Sequence, residues 1–276
     1  MREKKALFLL LALVSVGALL CLKVERRERL KLLYRSPSDY NGILPVRCDS
    51  VVPVIYRRIP CLAPVPVAKR KRLFIWMVLP AVLVENHRIS RLRERLMEIK
   101  DRMEDGSLSE EDEAFLRRLC LKYRARTIDE LLYKVAPVPP GLAIAQAAIE
   151  TGWGTSRFFC QANNLFGEWS FSGKGIKAKE SSARLKVFPD ILASVRSYFY
   201  NLNAGWAYEG FRMARARNPS SLALVKHLEK YSILGKEYVR RLERVIKGNR
   251  LDEYDSCKID SDYILSDYHL RLSCPF

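Results

Sequence analysis

The pattern of apolar and polar positions divides the chain into stretches of different period. Residues 6–22 form one long apolar run after a charged start containing Arg2, Lys4 and Lys5. As a helix that run would be about 25 Å long, close to the ~30 Å of bilayer hydrocarbon. It predicts a signal peptide or a short signal anchor. Cys21 follows Leu19 and Leu20 rather than a small residue, and no good Ala-x-Ala site comes after it, which favours an uncleaved anchor. Residues 36–66 carry Pro37, Pro45, Pro53, Pro60, Pro64 and Pro66 among valines with no helical period, which predicts an extended stalk or a strap lying on a domain. Residues 81–104 repeat Leu83, Ile89, Leu92, Leu96, Ile99 and Met103 between charges, the period of an amphipathic helix that Pro80 kinks or starts. Asp105-Gly106 makes a turn, Ser107 or Ser109 opens a second helix to about Lys122, and Thr127 with Glu130 forms a capping box for a short third.

Residues 139–168 break this alternation. Pro139 and Pro140 suit a first helical turn, and Leu142, Ala143, Ile144, Ala145, Ala147, Ala148 and Ile149 then leave no polar face, so the helix is buried. Its last turn carries one carboxylate, Glu150, and Gly152 and Gly154 end it. Residues 176–188 alternate about Ser181-Ser182 as a β-hairpin does. Asp190 caps a helix bearing Ile191, Val195, Tyr198, Phe199 and Leu202 on one stripe, further helices begin near Trp206 and near Ser220 or Ser221, the latter running through Lys230, and Gly248 ends the last helix.

Charge and cysteines narrow the class. The net charge of +17 over 276 residues divides as +6, +5 and +6 across residues 1–35, 36–136 and 137–276, so no segment is a nucleic-acid-binding arm. An evenly basic surface suits a polyanion. Six cysteines remain outside the apolar run, and disulfides fit an oxidising compartment without their connectivity being readable. His87, His227 and His269 are isolated and there is no C-x-x-C, so neither a metal nor a cofactor is expected.

Glu150 is the candidate for chemistry. Burial and the negative end of the helix dipole both disfavour its ionised form, which suits a general acid. Trp153 and Phe166 offer apolar faces to a ligand; Asn163 and Asn164 offer amides to its polar groups, or tie the loop backbone. Glu85 and Asn86 read as structural.

The run Ala145-Gln146-Ala147-Ala148-Ile149-Glu150-Thr151-Gly152-Trp153-Gly154-Thr155-Ser156-Arg157, followed by Asn163-Asn164-Leu165-Phe166-Gly167, resembles the signature of the bacterial peptidoglycan N-acetylglucosaminidases, glycoside hydrolase family 73. Within that family, residues 71–89 and the Pro-Pro-initiated helix resemble the Bax proteins. The resemblance covers roughly residues 68–250. It implies a mostly α, α+β, lysozyme-like domain with a small β-hairpin lobe, and cleavage of the β-1,4 bond after N-acetylglucosamine with Glu150 as general acid. A lytic transglycosylase and a non-catalytic wall-binding scaffold are the alternatives.

The resemblance also implies a second acidic residue in the hairpin, for which Glu180 is best placed, with Glu168 competing. A tyrosine near the acid is implied too, matched by Tyr231, while Tyr238 reads as packing. The implied partner is the peptidoglycan glycan strand. The expected organisation is a signal anchor with basic flank (1–35), the stalk or strap (36–68), the catalytic domain with its N-terminal helical extension (69–250) and a tail (251–276) without functional account. The protein would sit at the cell envelope, held in the inner membrane with its domain in the periplasm, or exported if the signal is cleaved.

Overall fold

The structure is a computed structural model that describes residues 22–170, 175–177 and 184–272. The fold is mostly helical with small sheets, an α+β arrangement. Two units are distinct, Met1–Lys31 with Asp262–Phe276, and Leu32–Ser261. In the first, strand β1 (Leu22–Leu30) pairs antiparallel with β7 (Ile264–Leu272), from Leu22 opposite Leu272 to Leu30 opposite Ile264. The basic flank after the apolar run is therefore a strand. The predicted anchor, apart from Leu22, lies outside the described residues. Among the described residues no helix is long and apolar enough to cross a membrane.

The second unit begins with the Pro/Val stretch. Strand β2 (Leu33–Arg35) pairs in parallel with β3 (Val54–Tyr56), and Val51, Val54, Ile55, Tyr56, Leu62 and Val65 are buried. Alternating prolines deny the segment a helix, and the apolar residues between them supply the adhesion that lays it on the domain.

Helix α1 (Val67–Glu104) runs 38 residues without a break through Pro80. The proline forgoes one backbone hydrogen bond, and the burial of Leu73, Phe74, Met77, Val78, Leu79, Ala81 and Val82 around it offsets that loss. Helix α2 (Glu110–Tyr123) starts on the Ser109 hydroxyl, which accepts from the Asp112 N–H, and α3 (Ile128–Lys134) starts on Thr127, which accepts from the Glu130 N–H.

Helix α4 (Pro140–Thr151) is the buried apolar helix: every residue from Pro140 to Ala148 is buried. It can lack a polar face because α1, α9 (Lys236–Gly248), α8 (Ser221–Leu224) and a 3-10 segment at Leu251–Ser256 all pack against it. Each fully buried Leu or Ile there contributes about 1.5–3 kcal/mol. Gly141 has to be glycine, because a Cβ there would lie 2.3 Å from the Leu251 carbonyl oxygen. Asp255 completes the helix start. Its carboxylate accepts from the N–H of Gly141 (2.9 Å), the N–H of Ser221 (2.8 Å) and the Ser221 hydroxyl (2.7 Å). Residues 251–257 thus belong to the folded domain, and the Cys48–Cys257 disulfide ties them to the strap.

After α4 come α5 (Arg157–Ala162) and a small sheet in the order β4-β6-β5, built from β4 (Trp169–Ser170), β5 (Ile176–Lys177) and β6 (Arg184–Leu185), all antiparallel. Helix α6 (Ile191–Ala204) starts on Asp190, which accepts from the Ala193 N–H at 2.7 Å. Helix α7 (Glu209–Arg217) follows, and the helix expected from Ser220 stops at Leu224 and tightens into 3-10 turns at Val225–His227 and Glu229–Tyr231.

Candidate active site

The α4 helix ends where its carboxylate stands. The Gly152 N–H closes the helix on Ala148 and Ile149, and Gly152, Trp153 and Gly154 follow in left-handed conformation, with φ of 58°, 60° and 79°. Glycine takes such angles freely, whereas Trp153 costs about 1–2 kcal/mol there. Local contacts hold it: the Gly154 N–H donates to the Thr151 hydroxyl (3.0 Å), and the Trp153 ring packs edge-on against Phe74 with Lys71 over its face. Trp153 therefore fastens the turn to α1.

Glu150 is half-buried, and burial pushes its carboxyl above the ordinary range, a rise opposed by a hydrogen bond from Tyr238. That hydroxyl donates to Glu150 Oε1 at 3.0 Å. So Tyr238, read from the sequence as packing, reaches the candidate acid. Tyr238 lies on the same face of α9 as buried Leu242 and Ile246, a spacing that marks a packed position without telling that its hydroxyl meets the acid. Tyr231 instead stacks on Tyr238 with ring centroids 5.5 Å apart and donates to the Phe166 carbonyl at 3.4 Å.

Behind this pair the network continues inward. The Tyr238 oxygen accepts from Gln146 Nε2 at 3.1 Å, and Gln146 Oε1 accepts from the Tyr198 hydroxyl. Gln146 is wholly buried and Tyr198 nearly so. Phe166 stacks on Tyr198 at 3.9 Å between centroids and is itself buried, so it walls the site from inside. On the other carboxyl oxygen, a Cβ at Gly167 would lie 3.5 Å from Glu150 Oε2.

The two asparagines hold backbone. Asn163 Nδ2 donates to the carbonyls of Arg57 (2.8 Å) and Phe188 (3.0 Å). Asn164 is buried; its Nδ2 donates to the carbonyls of Glu168 and Lys186, and its Oδ1 accepts from the Glu168 N–H. They fasten the loop carrying Phe166 and Gly167 to β6 and the strap. Glu168 Oε2 accepts from Lys186 Nζ (2.8 Å) and the Ser197 hydroxyl (2.6 Å), an engaged position. Glu180 lies outside the described residues.

Other polar clusters stand apart from this network. The buried carboxylate of Glu85 takes hydrogen bonds from Arg88 and Arg196 at the wall of a cavity of about 330 Å³, whose lining includes neither Glu150 nor its hydrogen-bond partners. Asn86 exchanges two hydrogen bonds with the Val138 backbone, which sets the approach to α4. Among the described residues no three His, Cys, Asp or Glu side chains gather where they could hold a metal ion.

Comparison with known proteins bears on the same segment. Residues 129–251 match the family described as mannosyl-glycoprotein endo-beta-N-acetylglucosaminidase. Protein bax of Escherichia coli (strain K12) is 28% identical over 195 residues, 66% of this chain and 70% of that protein. Exo-glucosaminidase LytG of Bacillus subtilis (strain 168) is 24% identical over 140 residues, 46% of this chain and about half (49%) of that protein. Among solved structures, the catalytic domain of the autolysin Auto from Listeria monocytogenes is 20% identical, with a TM-score of 0.36 over 56% of this chain and 97% of that one. The matched segment runs from α3 to the first residue of the Leu251–Ser256 turn and contains Glu150, Gln146, Tyr198 and Tyr238, so the chain's similarity to the glucosaminidase family falls on the candidate site.

Proposed function

We propose that the protein is a peptidoglycan hydrolase on a lysozyme-like domain, cleaving the β-1,4 bond after N-acetylglucosamine with Glu150 as its general acid. The observation that carries this reading is one carboxyl at the end of a buried helix, its pKa raised by burial and one oxygen accepting a hydrogen bond from the Tyr238 hydroxyl. The proton passes from Glu150 to the glycosidic oxygen as that bond breaks, and the ring carbon left behind gains oxocarbenium character before water adds to it. Positioned acid help of this kind contributes ~10² to 10⁴ in rate. Glu180 of the hairpin is the proposed second carboxylate. Trp153, Asn163, Asn164, Phe166 and Tyr231 shape the turn, loop and wall around the acid, and substrate contacts by them belong to the same proposal.

The name of the Bacillus subtilis relative supports a glucosaminidase activity. Disulfides Cys48–Cys257 and Cys61–Cys160 support work outside the cytoplasm. We place the protein at the cell envelope, anchored in the inner membrane through residues 6–22 with the domain in the periplasm. The test is release of reducing sugar from purified peptidoglycan by the full chain, wild type beside Glu150→Gln. Release by the wild type with loss of at least 100-fold in the variant is expected, and a folded wild type that releases none refutes the activity.

A further inference from the structure

We propose that Gln146 and Tyr198 are positioning residues that fix the direction of the hydrogen-bond chain ending at Glu150, so that the transferable proton resides on Oε2, beside Gly167, and not on Oε1. The proposal rests on the glycosidase reading for its purpose, though the chain of bonds stands independently of it.

A tyrosine hydroxyl has one proton to donate. The Tyr198 hydroxyl spends its proton on Gln146 Oε1, which fixes the amide with its NH₂ toward Tyr238. Gln146 Nε2 then donates to the Tyr238 oxygen at 3.1 Å, occupying the acceptor side of that hydroxyl. The remaining course for the Tyr238 proton is Glu150 Oε1, 3.0 Å away. In a protonated carboxyl the carbonyl oxygen is the stronger acceptor, so the oxygen that receives the Tyr238 proton is favoured as the carbonyl and the acid's own proton is directed to Oε2.

Burial makes this ordering firm. Gln146 is 0% exposed and Tyr198 1%, so turning the amide over would require several buried hydrogen bonds to change sense together, without water to replace them. Oε2 has glycine for a neighbour, where φ is +64° and a Cβ would stand 3.5 Å from it, which leaves that oxygen room for a leaving group. The position of Gln146 follows from helical period: it lies one turn before Glu150 on α4, so both side chains meet the same tyrosine of α9.

The sign of the effect is fixed as well. A donor to the ionised carboxylate stabilises it, which is the sense in which Tyr238 opposes the rise caused by burial. Weakening the chain anywhere behind Tyr238 frees that hydroxyl to turn away, and Glu150 then holds its proton to higher pH.

The test titrates Glu150 in the full chain by carboxyl carbon-13 NMR, with Glu150→Gln assigning the resonance. The comparison is wild type against Tyr238→Phe, Gln146→Leu and Tyr198→Phe, with melting curves to verify folding. Expected is an upward move of the titration in all three, accompanied by an upward move of the alkaline limb of the activity profile. A fall in kcat of about tenfold with KM unchanged is expected, the size of one lost hydrogen bond to a charged group. A merely structural role would lower the amount of active protein and leave both midpoints in place. The proposal is overturned if Tyr238→Phe moves the titration while folded Gln146→Leu and Tyr198→Phe do not, or if none of them does. Should Gln146→Leu fail to fold, Tyr198→Phe decides alone, since it removes only the hydroxyl that orients the amide. If the titrations move as expected while wild type cleaves no peptidoglycan, the hydrogen-bond ordering holds and the glycosidase reading fails.

Discussion

Removing the carboxylate of Asp255 should loosen the start of the helix that carries Glu150. In Asp255→Ala the N–H groups of Gly141 and Ser221 lose their acceptor, as does the Ser221 hydroxyl. Loss of a helix cap costs about 1 kcal/mol. Gly141 and Ser221 are buried, so a second N–H left without a partner adds about 1–3 kcal/mol. The sum is about 2–4 kcal/mol, which for a domain of this size lowers Tm by roughly 5–12 °C. Urea unfolding followed by far-UV circular dichroism measures the difference directly, with Asp252→Ala, an exposed change on the same turn, as the control. A loss below about 0.5 kcal/mol, the range of ordinary surface substitutions, would refute the reasoning. It would mean that residues 251–257 rest on the domain without holding the helix.

Other consequences can be checked with the same preparations. Burial raises Glu150 above the ordinary 4.5, so the unfolded chain ionises it first as pH rises, and native stability falls from about pH 4.5 upward until the folded group titrates. Glu150→Gln should therefore be more stable than wild type at pH 7 and equal to it below pH 4, and melting curves that fail to converge in acid would contradict this. Reducing the disulfides, which close separations of 209 and 99 residues, should cost about 3–5 kcal/mol each in urea unfolding, and a loss under 1 kcal/mol would show that the reduced chain is already held by its core. Gly167→Ala forces a methyl into left-handed backbone beside Glu150 Oε2; about 1–2 kcal/mol of stability should go, with a larger proportional fall in turnover, whereas unchanged turnover would place the leaving group elsewhere.

The elements marked by strong local chemistry were legible in the sequence. Pro139 and Pro140, the run without a polar face and the Gly152 stop set α4 within a residue of its ends, and Ser109, Thr127 and Asp190 each accept the cap hydrogen bond their positions suggest. Long-range pairing was less visible. Nothing in the Asp- and Tyr-rich tail distinguishes Asp255 from its neighbours, because its role depends on Gly141 and Ser221 arriving from elsewhere in the chain. Pro80 suggests a kink or a start, whereas the helix begins at Val67 and runs on through it. At the site, the motif pointed to Glu150, yet its partner is Tyr238 rather than Tyr231. The two tyrosines are stacked, and only the tertiary placement of α9 decides which hydroxyl meets the acid. The asparagines left open between ligand and backbone spend their amides on backbone carbonyls.

The most direct measurement is mass spectrometry of peptidoglycan fragments released by the full chain, wild type beside Glu150→Gln. New reducing ends at N-acetylglucosamine, absent with the variant, are the predicted result. Anhydro-muramic ends would make the protein a lytic transglycosylase, and intact glycan from a folded protein that sediments with the wall would contradict hydrolysis and leave a binding scaffold.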